Sequence, residues 1–157
     1  MKAHTTTAKE LAKNTTTTVN GKIILVDDEK YEKELLMLAL REKQWDVKVE
    51  YFNNGNDALE HMRTTKDKLF LVISDMNMPE MTGLELKKAI DEDKILREKS
   101  MPFIFMSGGG SNEEVSEAYD YRVQGFFEKP KTVGEQAEVL DLIIKYWIVS
   151  LHPEKKK

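Results

Sequence analysis

The chain has no cysteine, so neither a disulfide framework nor a thiolate metal site is available to it, as is usual in a reducing compartment. It also lacks a surplus of positive charge. Lys and Arg total 24 against 28 Asp and Glu, a formal net charge of -4, which gives no electrostatic footprint for nucleic acid. No apolar run approaches the roughly 20 residues of a membrane span, and Met1-Lys2 is not followed by the hydrophobic region of a signal peptide. A nucleotide-binding P-loop is missing, because Gly108-Gly109-Gly110 is not followed by Gly-Lys-Ser/Thr. His4, His61 and His152 are scattered, which argues against a zinc site. These absences predict a soluble cytoplasmic protein that binds neither nucleic acid nor membrane.

What is there has a regular order. At 157 residues the chain is long enough to bury one real core. Residues 1–20, rich in threonine and poor in apolar side chains, read as a flexible lead, residues 21–150 as the folded domain and 151–157 as a tail. Strands are expected near 22–27, 46–52, 69–75, 102–107 and 125–129, alternating with helices, and that alternation implies a parallel sheet. Thr82-Gly83-Leu84-Glu85, Ser111-Asn112-Glu113-Glu114 and Thr132-Val133-Gly134-Glu135 each match the capping box that starts a helix. In the first helix Tyr31, Leu35 and Leu38 repeat at i, i+4, i+7 and are expected to cover the sheet. Right-handed crossovers in five such units need helices on both faces, so the fold class is α/β, a doubly wound three-layer sandwich.

Three strands end in charge. Asp27 and Asp28 close Ile23-Ile24-Leu25-Val26, Asp75 closes Leu69-Phe70-Leu71-Val72-Ile73-Ser74, and Gly125-Phe126-Phe127-Glu128 runs into Lys129-Pro130. In an open α/β sheet ligands bind beyond the carboxyl ends of the strands, so these groups converge on one edge. Taken singly each has a plainer reading: Asp27-Asp28 as a helix cap, Asp75 as a turn residue, Lys129 as a solvated surface charge. Together they have the composition of a magnesium-dependent phosphate site.

The runs Ile-Leu-Val-Asp27-Asp28, Ser74-Asp75-Met76-Asn77-Met78-Pro79-Glu80-Met81-Thr82-Gly83, Phe105-Met106-Ser107-Gly108 and Phe126-Phe127-Glu128-Lys129-Pro130 resemble the receiver domain of two-component response regulators, over about residues 22–149. The resemblance implies a flavodoxin-like five-stranded sheet in the order 2-1-3-4-5. It implies Asp75 as phosphoacceptor from a sensor histidine kinase or phosphotransfer protein, and Mg²⁺, with Mn²⁺ able to substitute, held by Asp28, Asp75, the Asn77 carbonyl and, through water, Asp27. It further implies Lys129, Ser107 and the Gly108 amide on the phosphoryl oxygens, with Ser107 and Phe126 as switch residues. Phe126 stands where Tyr is commoner and has no hydroxyl, so a switch there works by packing. The family also implies a cis Lys129-Pro130 bond.

The expected function is therefore that of a signalling protein rather than an enzyme, acting on a downstream protein. The chain is read as a stand-alone regulator, since no output domain follows the last helix. Segment 111–114 and the ending from Tyr146 most resemble regulators paired with bacteriophytochrome-type kinases. The competing reading is a phosphohydrolase working through an aspartyl phosphate. Those enzymes carry Asp-x-Asp-x-Thr after the first strand, whereas this chain has Asp27-Asp28 there. In the last helix Leu140, Ile143 and Trp147 form one apolar row and Val139, Leu142, Tyr146 and Val149 a second, which predicts a homodimer through the 111–121 helix, the 125–129 strand and the 133–149 helix.

Overall fold

The computed structural model describes Thr7, Ala8 and residues 15–152. Strands β1 (Thr17–Val26), β2 (Trp45–Phe52), β3 (Leu69–Ser74), β4 (Phe103–Ser107) and β5 (Gly125–Glu128) form one parallel sheet in the order β2-β1-β3-β4-β5. Between and after them lie α1 (Tyr31–Glu42), α2 (Gly55–Thr64), α3 (Gly83–Glu92), the short α4 (Lys94–Glu98), α5 (Asn112–Asp120) and α6 (Val133–Val149). This is the doubly wound sandwich that the alternation predicts. Every residue of β3 and β4 is buried, as the inner strands of a sheet covered on both faces must be.

Alternation along the strands sorts the core into two layers. Ile23, Leu25, Leu71, Ile73, Ile104 and Met106 point to the face covered by Leu36, Ala39 and Leu40 of α1 and by Ala137, Leu140, Ile143 and Ile144 of α6. Ile24, Val26, Val72, Phe103 and Phe105 point to the other face, under Ala58 and Met62 of α2, Leu86 and Ile90 of α3, Leu96 of α4 and Ala118 of α5. Each such Leu or Ile, fully buried, contributes about 1.5–3 kcal/mol.

The predicted stripe of α1 does not cover the sheet. Tyr31 and Leu38 are exposed and Leu35 half-buried, while Leu36, Ala39 and Leu40 face the core. The segment Leu35-Leu36-Met37-Leu38-Ala39-Leu40 is apolar on both sides, and packing against α6 selects the row with small Ala39 at its centre.

The first strand begins five residues before Lys22, so Thr17–Asn20 are strand rather than flexible lead. Thr17 N–H donates to the Gln44 carbonyl at 2.9 Å, and Val19 is buried. The pairing with β2 slips between Thr18 and Lys22, where Gly21 has φ of 123°. That bulge needs a residue tolerant of positive φ, and glycine supplies it. The rest of the expected lead, residues 1–6 and 9–14, and residues 153–157 of the tail lie outside the described residues.

Thr82, Ser111 and Thr132 accept at 3.2, 3.2 and 3.1 Å from the N–H groups of Glu85, Glu114 and Glu135, so all three predicted helix starts carry their caps. The reciprocal half is weaker: Glu135 Oε2 accepts from Lys131 N–H, one residue before the cap, and Glu114 Oε2 is buried without a partner among the described residues.

Candidate functional site

The register of the sheet builds the site. Val26 pairs with Ser74 across β1 and β3, so the residues that follow them, Asp27 and Asp75, leave the sheet side by side. Ser74 pairs with Phe105, which places Ser107 at the end of the next strand, and Ser107 pairs with Glu128, so that Lys129 follows beside it. The carboxylates of Asp27, Asp28 and Asp75 each bring an oxygen within 4.8 Å of the others. Asp27 and Asp75 are buried and Asp28 is exposed, leaving the cluster open on one side. Three carboxylates with hard oxygen donors and an open approach fit Mg²⁺ or Mn²⁺.

Each buried group is held. Asp75 Oδ1 accepts from Met76 N–H at 2.8 Å, and the Asn77 N–H also supports this carboxylate. Asp27 Oδ1 accepts from Glu29 N–H at 2.9 Å, and its carbonyl accepts from the Tyr51 hydroxyl at 2.6 Å. Gly83 N–H donates to the Met76 carbonyl at 2.9 Å, clamping the loop after Asp75 against α3, and a Cβ at Gly83 would stand 2.3 Å from the Asp75 carbonyl oxygen. Only glycine fits there.

Lys129 lies among three carboxylates. Its Nζ is 2.8 Å from Asp27, 3.5 Å from Glu32 and 3.8 Å from Asp75. Burial alone would lower the pKa of this ammonium, but the Asp27 hydrogen bond and the charges of Asp27, Asp75 and Glu32 raise it above its ordinary value. The Asp75 carboxyl is also pushed up, first by burial, with Asp27 adding to the shift and Lys129 opposing it.

The Lys129-Pro130 peptide is trans, contrary to expectation. Lys129 is aimed instead by the strand ladder, its N–H donating to the Ser107 carbonyl at 2.7 Å, and by the carboxylates that receive its ammonium.

Ser107 is buried, and its hydroxyl donates to the Gly109 carbonyl at 3.3 Å, within its own loop. Gly108 and Asn77 are exposed on the loops that border the cluster. Phe126 is half-buried, its ring 5.8 Å from that of Phe105 and close beneath Gly110.

Two contributors were not legible beforehand. Glu32 enters from the first turn of α1 with its side chain 12% exposed, and Tyr51 enters from β2. Glu32 sits in Asp27-Asp28-Glu29-Lys30-Tyr31-Glu32-Lys33-Glu34, where one buried acid is indistinguishable in type from its solvated neighbours. Its place five residues after Asp27, on the turn that leaves β1, was the available signal.

A family model described as the response regulator receiver domain matches residues 23–141. The chemotaxis protein CheY-3 of Vibrio cholerae is 31% identical over 126 residues, which cover 80% of this chain and 93% of its own. The phosphorylated cyanobacterial phytochrome response regulator RcpA is similar in structure with a TM-score of 0.71 at 22% identity, over 83% of this chain and 95% of its own. The Mn²⁺-bound form of response regulator Rcp1 gives 0.69 at 18% identity, over 86% and 99%. At those identities the solved structures speak for the fold, and the family match and CheY-3 for the lineage. The chain belongs to the response regulator receiver domains of two-component signalling.

Proposed function

We propose that Asp75 accepts a phosphoryl group from a phosphohistidine on a sensor histidine kinase or phosphotransfer protein, and that the chain then signals through a downstream protein. The observation that carries this reading is the buried Asp75 carboxylate at the sheet edge, its Oδ1 tied down by Met76 N–H and its Oδ2 facing Lys129 beside two further carboxylates. Oδ2 attacks phosphorus, the P–N bond breaks, and its electron pair leaves with the imidazole, giving an acyl phosphate. Mg²⁺, or Mn²⁺ in its place, when held by Asp28, Asp75, the Asn77 carbonyl and, through water, Asp27, supplies charge neutralisation between the carboxylate and the phosphoryl oxygens. Lys129 moves from Asp27 and Glu32 onto a phosphoryl oxygen. The Ser107 hydroxyl leaves the Gly109 carbonyl for a second one, joined by the Gly108 N–H. That movement frees space beside Phe105 and Gly110 for the Phe126 ring, a switch by packing in an element with two arrangements.

Intact-mass spectrometry after incubation with acetyl phosphate, with and without Mg²⁺, tests the chemistry. One phosphoryl group per chain, only with the metal, is expected. Sustained release of inorganic phosphate from small phosphomonoesters would instead establish the phosphohydrolase.

The assembly reading is a two-fold dimer through α5, β5 and α6. It is supported by three of the four members of the second apolar row of α6: Leu142 is 70% and Tyr146 63% exposed and Val149 is exposed as well, whereas Val139 packs against the core, and Leu151, itself exposed, does not cover them. Sedimentation checks it: the wild type dimerises at tens of micromolar with beryllofluoride, and the double variant Leu142→Glu/Tyr146→Glu does not. Equal dimerisation of both would remove this interface.

A further inference from the structure

A cavity of about 330 Å³ opens at the end of the sheet opposite to the acidic cluster, beneath the first residues of β4 and between α3, α4 and the last turn of α6. Its size lies within the range of small-molecule sites. The apolar part of its wall includes Ile90, Leu96, Met101, Phe103 and Trp147. Its polar side chains are Lys87, Arg97, Ser100, Gln124, His152 and one carboxylate, Asp91, in a chain whose net charge is negative.

Lys87 is the informative one. It sits on α3 with its side chain 8% exposed, and of its three N–H donors one reaches Asp91 Oδ1 at 2.5 Å. Among the described residues the ammonium has no second partner. A lysine this buried is ordinarily paired, as this one is with Asp91, and its remaining donors belong to a side chain that lines the cavity. Arg97 of α4 also lines the cavity, exposed and without an ion pair among the described residues. Gln124 is oriented by Phe103, whose N–H donates to its Oε1 at 2.7 Å, so its amide nitrogen keeps two donors for the cavity side. Among the described residues Asp91 is the one acid in the wall and Lys87 already compensates it, leaving Arg97 as uncompensated charge and His152 as a further nitrogen donor at the rim.

We propose that this cavity is a second binding site, for a small organic anion whose carboxylate or phosphate is held by Lys87 and Arg97 and whose flat apolar body lies against Phe103 and Trp147. The site is separate from the acidic edge. An anion there takes up the free donors of Lys87 and gives Arg97 a partner, while its body fills the apolar wall.

The test uses the whole chain and three probes, 2-naphthoate, 2-naphthyl phosphate and neutral 2-naphthamide, followed by amide shifts and by the Trp147 indole N–H resonance. Either anion should saturate with shifts at residues 96–103, Gln124 and Trp147 and none at 75–77, and the tighter of the two identifies the head group. Naphthamide should bind at least about tenfold more weakly, and Arg97→Glu should weaken the anion by a similar factor, as loss of a charge-assisted contact requires. Arg97 is exposed, so that variant folds whether or not Lys87→Met does. The proposal is overturned if neither anion saturates below about 10 mM, an affinity weaker than about 3 kcal/mol. Equal binding of naphthamide, or affinity unchanged in Arg97→Glu, overturns it too. Shifts at residues 96–103 with protein concentration alone that persist in Leu142→Glu/Tyr146→Glu would mean that a second copy fills the cavity, and would overturn it as well.

Discussion

Two lysines in this fold each gather acidic side chains, and they do so in opposite ways. Lys129 faces Asp27, Glu32 and Asp75, whose side chains are 3, 12 and 11% exposed. Lys22, on the same sheet, faces Asp67 at 2.5 Å and Glu50 at 3.4 Å, whose side chains are 56 and 38% exposed. His61 Nε2 stands 2.5 Å from Glu50 without hydrogen-bond geometry, so that contact is ionic only when the imidazole is protonated. The carboxyl pKa values diverge accordingly. Asp67 is lowered, first by its hydrogen bond to Lys22, whereas Asp75 and Glu32 are raised, first by burial. The exposed set is satisfied as it stands. The buried set holds more negative charge than its one ammonium balances, and that surplus is what a divalent cation and a phosphoryl transfer would use.

Removing the ammonium should break the comparison most strongly. Lys129→Ala strands buried Asp27 and is expected to lower stability by about 2–3 kcal/mol, somewhat under the range for breaking a fully buried pair because Lys129 keeps some solvent contact. Lys22→Ala, among exposed partners, should change the urea midpoint little. Next in size, saturating Mg²⁺ should stabilise the wild type by about 1–3 kcal/mol through binding to the native state alone. Asp28→Asn should lose that gain and Asp67→Asn keep it.

Acidity should sharpen the contrast, with a smaller effect. With metal chelated, Asp75 and Glu32 bind protons more tightly folded than unfolded, so their contribution is present below their ordinary values of 3.8 and 4.5 and is lost as pH rises through the raised folded values. Asp67 has the opposite sign: its contribution is present above its ordinary value and lost as pH falls through the lowered one. Melting temperatures across pH should therefore flatten in Asp75→Asn above pH 4 and in Asp67→Asn below it. Smallest of all, Ser107→Ala should still label at Asp75 but show weaker amide-shift changes in loops 107–111 and 125–131 on activation. Equal changes in wild type and variant would refute the coupling.

Much of this was readable from residue order. The five strands and the convergence of Asp27, Asp28, Asp75 and Lys129 follow from apolar runs that end in charge, because a parallel sheet sends all its strand ends to one edge, whereas the strand order and the place of Ser107 came from the resemblance to the receiver family. The caps at Thr82, Ser111 and Thr132 were equally local. What was not readable depended on choices made between distant elements. Helix α1 offers two rows of helical spacing, and only the position of α6 decides between Leu36-Ala39-Leu40 and Tyr31-Leu35-Leu38. Thr17–Asn20 look like a polar lead until Gln44 and Trp45 supply a pairing edge. Glu32 is an ordinary surface acid by type and becomes part of the site because Lys129 reaches it from the far end of the chain. The short α4, capped by Asp93 on Leu96 N–H at 3.1 Å, had no periodicity long enough to announce it.

The proposed function turns most directly on which carboxylate takes the phosphoryl group. Acetyl phosphate with Mg²⁺, followed by borohydride trapping and peptide mass spectrometry, should mark Asp75 alone in the wild type and in Asp67→Asn, and nothing in Asp75→Asn. Labelling that persists in Asp75→Asn, or that falls on Asp67 or Glu50 instead, would contradict it.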